Sequence, residues 1–311
     1  MDAIELRRIW GGFQAARVLM TAVNLGMFER LRKPADSDAV AASLKLDPRA
    51  AGIVLDALAA MGLIKKSKSV YSLTPDAARL LLNDAPEYQG DIIRHADGLW
   101  RGWSSLDEIM LTGRPAGHGG DHRAFIMGMH NLAKMKAPRV LNAVGLRGVK
   151  RALDLGGGPG TYSIEMARKG IQTTLFDIPE TVAIARTVAR GSGARFLSGD
   201  FLTDPIGRGY DLIFISQILH AFSEDDCREL LIKCAGALAP GGRIAIQEFP
   251  ISPTLDSPLP GALFSVNMLV NTTGGRCYAK EELASWLGDA GLVRIKHKDL
   301  KETVLVIGSK R

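Results

Sequence analysis

Hydrophobic and polar positions alternate along this chain with two different periods, and the change of period falls near residue 150. Upstream, segment 11–31 (GGFQAARVLMTAVNLGMFERL) repeats apolar residues at three- and four-residue intervals, which predicts a helix. SDAVAASL predicts a second helix, capped by Ser37. Asp47 followed by Pro48 is an N-cap with proline in the first turn, opening a third helix over PRAAGIVLDALAAMGLI. LIKKSKSVYSLT then alternates apolar and polar around a Lys-Ser-Lys turn, as a two-stranded wing does, and Thr74-Pro75 starts another helix. Helices followed by a wing make residues 1–85 a mainly helical winged-helix domain.

Downstream of 149 the pattern becomes short apolar strands separated by helices. RALDL, TTLFD, ARFLS, YDLIFIS and GRIAIQEF are the strands, and SEDDCRELLIKCAGAL is the most clearly marked helix. A helix (EELASWLGDA) and two strands, VRIKHKDL and TVLVIGS, end the chain. This predicts an α/β, Rossmann-like, mostly parallel sheet over residues 149–311. Residues 86–148 link the two parts through helical segments, a turn rich in Gly, Pro and His, and AFIMGMHNLAKMKAPRVLNAV, a Met-rich helical pattern. Those methionines serve either core packing or an adaptable apolar pocket.

Composition narrows the class. With 46% hydrophobic and 23% charged residues over 311 positions, the chain is globular, and no apolar run reaches the roughly 18 residues of a membrane span. The opening MDAIELRRIW carries charges where a signal peptide has its apolar core, and three cysteines are too few for a disulfide framework. A cytoplasmic protein with reduced thiols is expected, with Cys227 and Cys234 packing inward from one helix. The net charge of +6 is a mild excess spread along the chain. A winged helix suggests DNA, but between Pro48 and Ile64 only Arg49 and Asp56 are charged, which fits an interface better than a groove-reading helix. Nucleic acid is therefore not the expected partner.

The loop LDLGGGPGTYS follows the first strand of the α/β part and opens a helix, the context of a nucleotide-binding turn. A dinucleotide fingerprint places Gly or Ala three residues after its second glycine, where this chain has Thr161. The pattern is instead Asp154-x-Gly156-x-Gly158-x-Gly160, which suits S-adenosylmethionine (SAM): an acid for its ammonium end and glycine backbone for close approach. Asp177 ends the second strand, where a carboxylate can accept both ribose hydroxyls, and Asp200 with Phe201 follows the third, facing the adenine. Three acids at the carboxyl ends of successive strands lie where open α/β sheets bind ligands.

His220, in QILHAFSEDDC, follows the fourth strand and precedes a helix marked by a Ser223–Asp226 capping box. A lone histidine beside apolar residues is commonly just a packed side chain. Beside a methyl donor it gains a task. Deprotonating a phenol (pKa about 10) by imidazole (about 6.5) in a separate step costs about 5 kcal/mol, and transfer concerted with attack avoids much of that. Glu248, ending the fifth strand, is the candidate orienting carboxylate.

The loop LDLGGGPGTYS, with FDIP, GDF, LHAFSEDDC, IQEF and GGR, resembles the small-molecule O-methyltransferases of the caffeate and acetylserotonin type. The resemblance covers nearly the whole chain. It implies a class I SAM methyltransferase domain with a seven-stranded sheet, S-adenosylhomocysteine as product, no metal, and a homodimer through the N-terminal domains. It makes His220 the general base and Glu248 its support, adds Ser216 to the cofactor side, and puts Met129, His130, Gln217, Met268, Thr272 and Cys277 in the acceptor pocket. Cys277 stands where relatives usually carry an acid, Ala221 replaces the acid after the histidine, and Ser216 replaces a lysine. C- or N-methylation, other chemistry on the same cofactor, and a ligand-responsive DNA-binding regulator are the competing readings. His118, Asp121 and His122 are expected to be solvated, and Trp100 and Trp103 either flank the entrance or pack in the core.

Overall fold

The structure is a computed structural model describing residues 1–116 and 120–311. Two compact units emerge: Met1–Trp100 with Gly120–Leu132, and Ala133–Arg311 with the described part of Arg101–Gly119. His118 lies outside the described residues.

The first unit begins with α1 (Ala3–Asn24), α2 (Met27–Arg30), β1 (Ala35–Asp36), α3 (Ser37–Leu44) and α4 (Pro48–Ala60). The hairpin β2 (Ile64–Ser67) and β3 (Val70–Leu73) and helix α5 (Pro75–Leu81) follow. The strands form an antiparallel sheet in the order β1-β3-β2. Two expectations are corrected. The first helix starts at Ala3, where Asp2 and Glu5 form a capping box, and it ends before Gly26, whose φ of 70° breaks the run. The cap of α3 is Asp36, which accepts from the Ala39 N–H at 2.8 Å, while Ser37 is the first helical residue. Pairing of Asp36 with Val70 holds it extended, the conformation an N-cap needs.

Phe28, Leu31, Val40, Leu55, Leu58 and Ile64 build this unit's core. On α4, Asp56 turns to the wing, accepting from Lys66 Nζ (2.5 Å) and the Tyr71 hydroxyl (2.7 Å). These contacts, Lys66 first, hold its carboxyl below the usual range. Along the start of α1, Ile9, Trp10 and Phe13 stay more than half exposed.

The connecting helices are α6 (Gly90–Ser104), α7 (Leu106–Thr112), α8 (His122–Lys134) and α9 (Ala137–Val144). The Met-rich segment is thus two helices, with Pro138 in the first turn of the second. After them come β4 (Arg151–Leu155), α10 (Thr161–Arg168), β5 (Gln172–Asp177), α11 (Pro179–Val188), β6 (Arg195–Ser198) and β7 (Tyr210–Ser216). A 3₁₀ turn at Leu219–Ala221 leads into α12 (Glu224–Ala237), β8 (Leu238–Glu248), α13 (Leu259–Asn271), α14 (Lys280–Asp289), β9 (Val293–Asp299) and β10 (Val304–Ser309).

The second unit's sheet runs β6-β5-β4-β7-β8-β10-β9; its first five strands are parallel, and β10 is antiparallel to both neighbours. Strand residues alternate between two cores, as period-two side chains must. Leu153, Ile213 and Ile244 face α12 and α14, while Ala152, Leu212 and Ala245 face α9 and α10. The strand order reverses between β4 and β7, opening a crevice at their carboxyl ends. The glycine loop and the His220 loop leave the sheet on either side of it.

Candidate functional site

The glycine loop earns its residues from backbone geometry. Gly156, Gly158 and Gly160 all have positive φ (66°, 53° and 80°), which L side chains resist. At Gly156 a Cβ would fall 2.3 Å from Ile218, whereas at Gly158 no atom lies within 4 Å of that position, so the backbone there is open to a ligand. The Gly158 N–H donates to Asp177 Oδ2 (2.8 Å), tying the loop to the end of β5. The Ile178 N–H donates to the other carboxylate oxygen, Asp177 Oδ1, at 2.8 Å. These features fit the methionine and ribose portions of SAM.

Asp154 is buried, with Oδ2 accepting from Ser163 Oγ at 2.7 Å. Burial pushes its carboxyl up to about 6, against the lowering effect of Ser163. Asp200 closes a turn after β6, its Oδ1 accepting from the Leu202 N–H (2.9 Å), and Phe201 packs between Phe176 and Phe222. Lys233 Nζ holds the Phe201 and Leu202 carbonyls at 2.9 and 3.1 Å, a clamp that no sequence motif announced.

Across the crevice, the Ser223 capping box fixes the start of α12 and so the length of the loop carrying His220. His220 Nδ1 lies 2.7 Å from Glu248 Oε2, and both residues are buried. The Phe264 ring stands edge-on to the imidazole at 4.8 Å, and Phe249 lies 5.8 Å away. Gly275 permits a close approach: a Cβ there would be 2.3 Å from the His220 carbonyl oxygen. Thr272 Oγ1 donates to the Met268 carbonyl and accepts from the Gly275 N–H, so Met268, Thr272 and the glycine pair form one corner. Cys277 is buried beside Phe249 and Phe264, with its N–H on Ser265 Oγ (3.1 Å), and burial raises its thiol to about 11. Ser216 donates to Gln247, and Gln217 has a left-handed φ of 56°. Trp103 Nε1 donates to Asn267 on α13. Met129 and His130 belong to the first unit, on α8.

An O-methyltransferase domain profile matches residues 116–293, and an O-methyltransferase dimerisation domain profile matches 8–84. The chain belongs to the O-methyltransferase family. This O-methyltransferase is 32% identical to the 3-hydroxy-5-methyl-1-naphthoate 3-O-methyltransferase of Streptomyces sahachiroi, over 92% of this chain and 88% of that one. It is 30% identical to mouse acetylserotonin O-methyltransferase, over 92% and 82%. Among solved structures, human N-acetylserotonin methyltransferase in complex with SAM superposes with a TM-score of 0.91 at 26% identity, covering 100% of this chain and 98% of that one. PigF with SAH gives 0.92 at 25% identity, with 100% of both chains covered. The enzyme is SAM-dependent, its fold is the class I methyltransferase fold, and a dimerisation domain forms its N-terminal part. Among the described residues no cluster of side chains could hold a metal ion, and no helix is long and apolar enough to cross a membrane.

Proposed function

We propose that this O-methyltransferase methylates a hydroxyl of a small, largely apolar aromatic metabolite, with His220 as general base and Glu248 as its positioning residue. The observation that carries this reading is the 2.7 Å contact between His220 Nδ1 and Glu248 Oε2 beside the Phe249 and Phe264 rings. With Nδ1–H donated to the carboxylate, Nε2 carries the lone pair that takes the acceptor's proton. Glu248 then stabilises the imidazolium. SAM, when bound, supplies a methyl group made electrophilic by its sulfonium. Gly156, Gly158, Asp177, Asp200 and Phe201 hold that cofactor, and Met268 and Thr272 line the acceptor side. The relatives act on a naphthoate and on acetylserotonin, both aromatic, and the phenylalanine rings beside His220 suit a flat apolar acceptor.

The enzyme acts in the cytoplasm as a homodimer through its first unit; the exposed Ile9, Trp10 and Phe13 on α1 supply apolar surface for that contact. The test is His220→Ala with labelled SAM and hydroxylated naphthoates and indoles. Turnover is expected to drop by about 10² or more while SAM binding stays intact. Unchanged turnover would remove His220 from the chemistry, and a product carrying the methyl on carbon or nitrogen would overturn the hydroxyl acceptor.

A further inference from the structure

The residue before Glu248 is a buried glutamine whose bonds reach both sides of the crevice. Gln247 Oε1 accepts from the Tyr162 hydroxyl (2.9 Å) and from Ser216 Oγ (3.0 Å), and its Nε2 donates to Thr303 Oγ1 (3.1 Å). Its carbonyl accepts from the Gln217 N–H at 2.8 Å, holding Gln217 in its left-handed conformation. Tyr162 sits in the first turn of α10, directly after the glycine loop, while Ser216 and Gln217 open the loop that ends at His220. Because side chains alternate along β8, Gln247 points to the α10 face of the sheet and Glu248 to the other. One strand end therefore ties the glycine loop to the His220 loop through one side chain and positions His220 through the next.

We propose that Gln247 is a positioning residue that sets the spacing between the methyl donor's loop and the His220–Glu248 pair. A carboxamide can do this where an apolar residue cannot. Its oxygen takes two hydroxyl donors at once, and its NH₂ is anchored on Thr303, just ahead of the neighbouring strand β10, so the three segments hold one separation. Methyl transfer needs the reacting atoms aligned at about 3–3.5 Å, and a displacement near 1 Å costs on the order of 10²-fold in rate. Uncoupled loops would still bind the cofactor, but the base and the methyl group would no longer be held in register. The inference rests on the functional reading above.

The test compares wild type, Gln247→Met and the triple variant Gln247→Met, Tyr162→Phe, Ser216→Ala. Gln247→Met alone takes their shared acceptor from the Tyr162 and Ser216 hydroxyls and a donor from Thr303 Oγ1, and is expected to lower the melting temperature. The triple variant removes the Tyr162 and Ser216 hydroxyls along with their acceptor, and stability is expected to recover towards wild type. Recovery of folding without recovery of rate is the expected signature: kcat at least about 10-fold below wild type, with the SAM Kd by calorimetry within about 3-fold. A triple variant whose kcat returns together with its melting temperature would overturn the positioning role and leave the methyltransferase reading standing. Wild type that binds SAM but transfers no methyl to any hydroxyl would overturn the functional reading, and this inference with it.

Discussion

Two buried carboxylates lie at the ends of two central strands of the second unit, and they have opposite partners. Asp154, next to last in β4, is 1% exposed and accepts from a serine hydroxyl; Glu248, closing β8, is 2% exposed and faces an imidazole. Ser163 cannot become a cation. Burial therefore dominates at Asp154 and raises its carboxyl to about 6, which suits a group that holds a helix start in place. Glu248 faces a ring that can take up a proton and form an ion pair out of bulk water, which suits the positioning role proposed for it. Similar burial sets one carboxylate against a hydroxyl that stays neutral and the other against a ring that can become a cation, and the difference lies in the partner.

The largest expected effect tests that contrast directly. Glu248→Gln keeps the shape but not the charge, and kcat is expected to fall about 10²-fold, while Asp154→Asn changes kcat by less than about 3-fold at pH 7.5 in the same assay. Comparable losses in both variants would erase the distinction. The second effect is on stability. Asp154 titrates near 6 in the folded protein against an ordinary 3.8, so between those values the folded state binds more protons than the unfolded. That advantage is complete below about pH 4 and lost as pH rises through about 6. Asp154→Asn, neutral throughout, should gain on wild type by up to about 3 kcal/mol between pH 4 and pH 7.5, measured by urea unfolding at both pH values. A difference that is flat with pH would contradict the raised carboxyl.

Smaller effects separate the glycine loop from the apolar surroundings of the pair. Gly156→Ala forces a methyl into a backbone with φ of 66° and against Ile218, costing about 1–2 kcal/mol in thermal unfolding and weakening SAM binding. Smallest of all is the response of the thiols. Burial raises Cys227 and Cys234 to about 12 and Cys277 to about 11, so a disulfide reagent at pH 8 should modify none of the three until denaturant is added. Prompt labelling of Cys277 in the native enzyme would show that the apolar wall beside His220 opens to solvent.

Much of this arrangement was legible in the chain. Glycine spacing after a strand, an acid at the next strand's end and a capping box after LHAF are local signals, because backbone conformation and helix starts depend on a few consecutive residues. Local signals also misled where two candidates adjoined. Asp36 and Ser37 can both cap a helix, and only the pairing of β1 with β3 selects Asp36. Gly26 stands inside an apolar pattern that continues across it, so the break in the first helix shows in φ and not in the periodicity. A partner within the same segment is equally invisible to spacing: Asp154 Oδ2 accepts from Ser163 Oγ in the helix that the glycine loop opens.

Sequence by itself determined the change of period near residue 150, the helix and strand types, the glycine loop after β4 and the histidine at the ligand edge of the sheet, since each follows from spacing within a short segment. Tertiary structure alone decided that Glu248 meets His220 from 28 residues away, that Phe264 stands against the imidazole, that Lys233 clamps the Phe201 turn, and that Gln247 joins Tyr162 to Ser216. Those contacts depend on strand order and on which face each residue takes, and a parallel sheet brings distant segments together only when it closes as a whole.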